Sequence, residues 1–96
     1  MTGSTISSNE LDPRRAKLLF RSWHRGIREM DLILGGFADA EIALLDAHDL
    51  DEYEIMLETD DRDLLQWITG ELDVPEVADT PLFRRIMVHA TRVRQR

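Results

Sequence analysis

The sequence predicts an all-α protein, a compact five-helix antiparallel bundle, on three observations. Apolar residues recur at three- and four-residue steps along each long segment, four of those segments open on a helix-capping signature, and no stretch shows the two-residue alternation of a β-strand. A chain of 96 residues suits one core, because either half alone would bury too little apolar surface. We read residues 1–11 as a disordered tail and 12–96 as a single five-helix domain.

Asp12-Pro13 opens the first helix, about 13–24: the aspartate accepts backbone donors, and proline has no N–H to leave unpaired at the first helical position. Ala16, Leu19, Phe20 and Trp23 form its apolar face, with Arg14, Arg15, Lys17, Arg21 and Arg25 elsewhere on the cylinder. Gly26 suits the left-handed position just past a helix end. A second pattern starts at Ile27, runs through Met30, Ile33, Leu34 and Phe37, and continues toward Leu44 and Leu45. Gly35-Gly36 interrupts it, and since each glycine costs about 1 kcal/mol relative to alanine, a kink or weak point is expected there.

Asp46 with Asp49 three residues on resembles a capping box, and the third helix, about 47–58, is expected to bury Leu50, Tyr53 and either Met56 or Leu57. Thr59 and Asp60 cap a fourth, about 61–69, with Asp61 and Asp63 at its positive end and Leu64, Leu65, Trp67 and Ile68 as apolar surface. Gly70 ends it. After the loop ELDVPEVAD, Thr80-Pro81 starts a final helix through Leu82, Phe83, Ile86, Met87, Ala90 and Val93.

The net charge of −7 is unevenly distributed: residues 1–28 sum to +4, residues 29–83 to −16 and residues 84–96 to +5. Either the basic terminal helices neutralise the acidic middle within the fold, or the surface is dipolar and orients a protein partner. A basic-helix nucleic-acid regulator is the weaker alternative. It would need Arg14, Arg15, Arg21 and Arg25 aimed at phosphates, which the acidic middle repels. No apolar run approaches the roughly 20 residues of a membrane span, so no membrane insertion is expected. The chain has no cysteine, and MTGSTISSNE has neither the apolar stretch of a secretory signal nor the arginines of a transit peptide, so the expected compartment is the cytoplasm.

Material for catalysis is scarce. His24, His48 and His89 are far apart in sequence, so no metal site is expected. No glycine opens a helix with phosphate-loop spacing, and serine occurs only at positions 4, 7, 8 and 22. What remains is the corner HRGIREMD, His24 to Asp31, where two arginines and two acids surround a glycine. Helical spacing could pair Arg25 with Glu29 and Arg28 with Asp31 for a few tenths of a kcal/mol each.

This corner sits within a wider resemblance. LLFRSWHRGIREMDLIL, with its RGxxE at Arg25, Gly26 and Glu29 followed by Asp31, and then LDAHDLDEYEIMLETDDRDLLQWITG, with Tyr53, Glu54, Leu57, Glu58, Asp61, Asp63, Leu64, Trp67 and Gly70, are similar to the succinate dehydrogenase assembly factors of the SdhE family. The similarity covers about residues 14–70. Gly35-Gly36 departs from the family, as does Asp46, where relatives often have a serine or threonine cap.

The resemblance implies a five-helix assembly chaperone without a catalytic site of its own. It implies binding to the flavoprotein subunit of succinate dehydrogenase or fumarate reductase and promotion of covalent FAD attachment to a histidine of that partner. Arg25, Gly26, Arg28, Glu29 and Asp31 would form the exposed partner-binding patch, with FAD not stably held by the chain itself. A direct flavin transferase, which would bind FAD alone, is the other alternative.

Overall fold

Asp12, Asp46, Asp60 and Thr80, which the sequence marks as helix starts, meet the donors their chemistry requires in the computed structural model, which describes residues 11–94, while the cap expected jointly from Thr59 and Asp60 is Asp60. Asp12 accepts the Arg15 N–H (2.8 Å) ahead of α1, Pro13–Trp23, with Pro13 in the first turn. Asp46 and Asp49 complete a reciprocal capping box at α3, Ala47–Leu57. Asp60 accepts the Arg62 N–H (2.8 Å) at α4, Asp61–Ile68, and the Thr80 hydroxyl accepts the Phe83 N–H (3.0 Å) at α5, Pro81–Arg94. The exception is α2, Arg28–Glu41, whose N-cap Ile27 offers no side-chain oxygen. Short 3₁₀ turns follow at Ile42–Leu44 and Glu76–Ala78, and among the described residues there is no strand. The expected tail 1–11 lies outside the described residues except for Leu11, which packs partly buried against the core.

Packing is centred on α2, which lies against α1 and α5 and buries Met30, Ile33, Leu34, Phe37 and Ala38. Leu18 and Leu19 from α1, Leu50, Tyr53 and Leu57 from α3, Leu64 and Ile68 from α4, and Leu82, Phe83, Ile86 and Ala90 from α5 complete one apolar cluster. Each large aliphatic side chain so buried contributes about 1.5–3 kcal/mol of transfer free energy. The Cα radius of gyration, 12.6 Å, is that of a single packed unit of this length.

Two expectations are corrected here. Helix α2 continues through Gly35 and Gly36 without interruption and ends at Glu41, giving way to the 3₁₀ turn before Leu45. Gly35 is the seat of the Trp23 indole: a Cβ there would lie 2.2 Å from Trp23 Cδ2. The glycine cost in helix propensity is offset by this close crossing of α1 on α2, which the Trp23 indole N–H reinforces by donating to Asp39 (3.2 Å).

The buried face of α1 is also rotated from the expected one. Leu18, Leu19 and Ser22 face inward, while Phe20 is 63% exposed. Ser22 is accommodated because its hydroxyl bonds the Leu18 carbonyl (2.7 Å) and shares a bond with the Tyr53 hydroxyl (2.5 Å). Burial pushes the Tyr53 phenol well above its ordinary range, so it stays neutral.

Candidate functional site

The corner between α1 and α2 is built on Gly26, whose φ of +97° lies in the left-handed region that side chains disfavour. The space around it is open: a Cβ on Gly26 would meet no heavy atom within 4 Å. Arg28 and Glu29, in the first turn of α2, are exposed beside it. On the α1 side, Phe20 and His24 stack with ring centroids 4.0 Å apart, and His24 Nδ1 lies 2.7 Å from the Phe20 carbonyl oxygen. The corner therefore presents a glycine notch between an aromatic pair and an arginine–glutamate pair.

Arg25 and Asp31 face into the fold. The Arg25 guanidinium donates through Nε to Asp61 (2.8 Å) and through its two terminal nitrogens to the carbonyls of Leu57 (2.5 Å) and Thr59 (3.0 Å). The Arg25 and Asp61 side chains are only 11% and 12% exposed. One arginine thus ties the corner to the end of α3 and the start of α4, using the planar fork that lysine lacks. Asp31 accepts the Arg25 backbone N–H (2.5 Å), closing the turn around Gly26. The local pairs Arg25–Glu29 and Arg28–Asp31 do not form, because Arg25 is taken by Asp61 and the Asp31 carboxylate by the backbone of Arg25.

Of the five residues expected at the site, Gly26, Arg28 and Glu29 stand at the surface while Arg25 and Asp31 brace it from within. The spacing of the motif gives no signal that Asp61, Leu57 and Thr59 are the partners of Arg25, although Leu57 and Asp61 fall within the wider family pattern. The periodicity of Phe20 fits an apolar face, and a stack on His24 four residues on is compatible with the same spacing.

Several basic residues neutralise the acidic middle. Arg14 holds Glu54 (2.9 Å) and Asp51 (2.6 Å), and Arg85 meets Glu41 and Asp49. Arg15 donates to the carbonyls of Ile42 (3.0 Å) and Leu45 (2.5 Å) at the end of the α2 segment. Hydrogen bonding from Arg14 holds the Glu54 carboxyl below its ordinary range. Three of the four arginines that a phosphate-binding α1 would need are thereby occupied within the fold. Among the described residues no group of three His, Asp or Glu side chains could hold a metal ion, and no helix is long and apolar enough to cross a membrane.

Residues 16–90 match the family model described as the flavinator of succinate dehydrogenase. The chain is 38% identical over 94 residues to the FAD assembly factor SdhE of Acetobacter pasteurianus, covering 98% of this chain and 85% of that protein. It is 36% identical over 81 residues to the mitochondrial succinate dehydrogenase assembly factor 2 of Dictyostelium discoideum, covering 84% of this chain and 57% of the relative. With the Schizosaccharomyces japonicus protein of the same name it shares 44% over 62 residues, 65% of this chain and 43% of that one. The chain thus spans about half the length of these mitochondrial relatives.

Proposed function

Because the chain belongs to the flavinator of succinate dehydrogenase family, we propose that it is an assembly chaperone that docks on the flavoprotein subunit of succinate dehydrogenase, or of fumarate reductase, and promotes covalent attachment of FAD there. The observation that carries this reading is the open notch at Gly26. A partner backbone can approach it closely, while exposed Arg28 and Glu29 supply directional polar contacts. Arg25 and Asp31 act as positioning residues that fix the notch. The bond-forming chemistry belongs to the flavin and the histidine of the partner. This chain contributes by favouring the partner conformation in which the two are aligned. In this reading it holds no FAD of its own, and the encounter takes place in the cytoplasm.

The test is reconstitution. Apo-flavoprotein subunit and FAD are incubated with and without the protein, and covalent flavin is read as fluorescence retained on a denaturing gel. The parent raises the flavinylated fraction and retains no FAD on gel filtration. Gly26→Arg fills the notch, keeps the helical circular dichroism signal and abolishes both partner binding and the gain. Substituting His24, His48 or His89 leaves most of the gain. A histidine that proves indispensable while partner binding stays normal would overturn the chaperone reading in favour of direct acid–base participation.

A further inference from the structure

We propose that a second surface, the groove between α3, α4, the 76–78 turn and α5, is a docking site for a cationic amphipathic helix of a partner protein. The groove encloses about 420 Å³ and is walled by Ile55, Met56, Leu64, Trp67, Val77 and Phe83. Two of these stand at its lip with large apolar exposure, Ile55 at 72% and Val77 at 89%. Trp67 and Phe83 meet edge to face (6.2 Å) as part of the wall, giving it an aromatic surface that an inserted aliphatic side chain can contact.

The composition of the wall argues for a peptide over a small molecule. Small-molecule clefts bury most of their ligand's surface and set a small number of precisely placed polar groups against it to fix orientation. Here the polar lining side chains are Glu52, Thr59 and Thr80, and the Thr80 hydroxyl is already used in capping α5. A cleft lined and lipped by aliphatic and aromatic side chains matches the helix-in-groove mode, in which residues at i and i+3 or i+4 enter together.

The charge around the groove selects the kind of helix. Residues 51–79 contain eleven acids against the single base Arg62. Asp51 and Glu54 are held by Arg14, Asp61 by Arg25 and Asp79 by Arg84. Glu58, Asp60, Asp63, Glu71, Asp73 and Glu76 are exposed and form no ion pair among the described residues. In sequence, Glu58 and Asp60 flank the lining residue Thr59, Asp63 adjoins Leu64, and Glu76 adjoins Val77. An apolar slot with such a border favours a helix that carries Lys or Arg beside its apolar stripe, and it repels an acidic one.

The probe is a synthetic helical peptide with leucines at i, i+4 and i+7 and lysines on the flanks, beside a control with glutamates in place of the lysines. Binding is followed by amide and indole chemical shifts of the full chain. The lysine peptide is expected to shift Trp67, Ile55 and Val77 and leave Trp23 unmoved. The glutamate peptide binds at least about tenfold more weakly, and raising salt from about 50 to about 500 mM weakens the lysine peptide. Ile55→Asp and Val77→Asp, at positions exposed enough to leave the fold intact, each reduce affinity about tenfold or more. Shifts spread over the acidic surface without Trp67, or affinity unchanged by both variants, would overturn the proposal. So would shifts that follow protein concentration with no peptide present, which would assign the groove to a second copy of this chain. None of these outcomes depends on the flavoprotein.

Discussion

Replacing Arg25 by alanine separates bracing from contact. The substitution removes three hydrogen bonds and leaves the Asp61 carboxylate, 12% exposed, without its cation. Breaking a buried charge pair from one side costs about 3–5 kcal/mol. Part of this is recovered, because Asp61 occupies the first turn of α4, where the helix dipole favours a negative charge by about 0.3–1 kcal/mol. The net loss is then about 2–4 kcal/mol, out of a total stability of about 5–15 kcal/mol for a domain. With a urea slope of about 2 kcal/mol per molar, the unfolding midpoint falls by about 1–2 M. Arg25→Lys keeps the charge but not the fork, and restores part of the midpoint. Exposed Arg28→Ala and Glu29→Ala leave stability within about 0.5 kcal/mol while weakening flavoprotein binding. If Arg25→Ala unfolds within about 0.5 kcal/mol of the parent, the bracing role is refuted.

Two further outcomes follow from the packing and the ion pairs. Gly35→Ala gains about 1 kcal/mol of helix propensity, but its Cβ would lie within 2.5 Å of three indole atoms of Trp23, and overpacking of this kind costs about 1–3 kcal/mol or more. The variant is expected to be less stable, with a shifted tryptophan emission maximum; unchanged emission at parental stability would refute the close crossing. At Glu54 the carboxyl is held below its ordinary value by Arg14, so the stabilisation is present above the unfolded value and is lost as pH falls through the folded one. The gap in urea midpoint between the parent and Arg14→Gln should therefore narrow from about pH 6 to about pH 3, and a gap constant across that interval would dismiss the pair.

Helix positions were legible because caps are local chemistry: Asp12, Asp46, Asp60 and Thr80 each need only donors two or three residues away. What a residue does across the fold was not legible. Gly35-Gly36 looks like a weakness on a propensity scale, and only the position of Trp23 turns Gly35 into a seat. Arg25 offered Glu29 as a neighbour at helical spacing, whereas its partner lies 36 residues away. Nothing local marks the polar Ser22 as buried; its bond comes from the Tyr53 hydroxyl, 31 residues away. The motif itself was visible, but its division into exposed and inward-facing members required the tertiary contacts.

The Arg25 clamp also sets an order of events during synthesis. Arg25 is synthesised before Leu57, Thr59 and Asp61 have been added, and at about 5–20 residues per second the delay to Asp61 is roughly 2–7 s. Until then the glycine turn has its Asp31 bond but no anchor to the second half of the chain. The surface that would meet the flavoprotein is thus completed only when α3 and the start of α4 are available to hold it. An unfinished chain would present the motif in sequence without its fixed shape, so engagement is deferred until synthesis has passed Asp61.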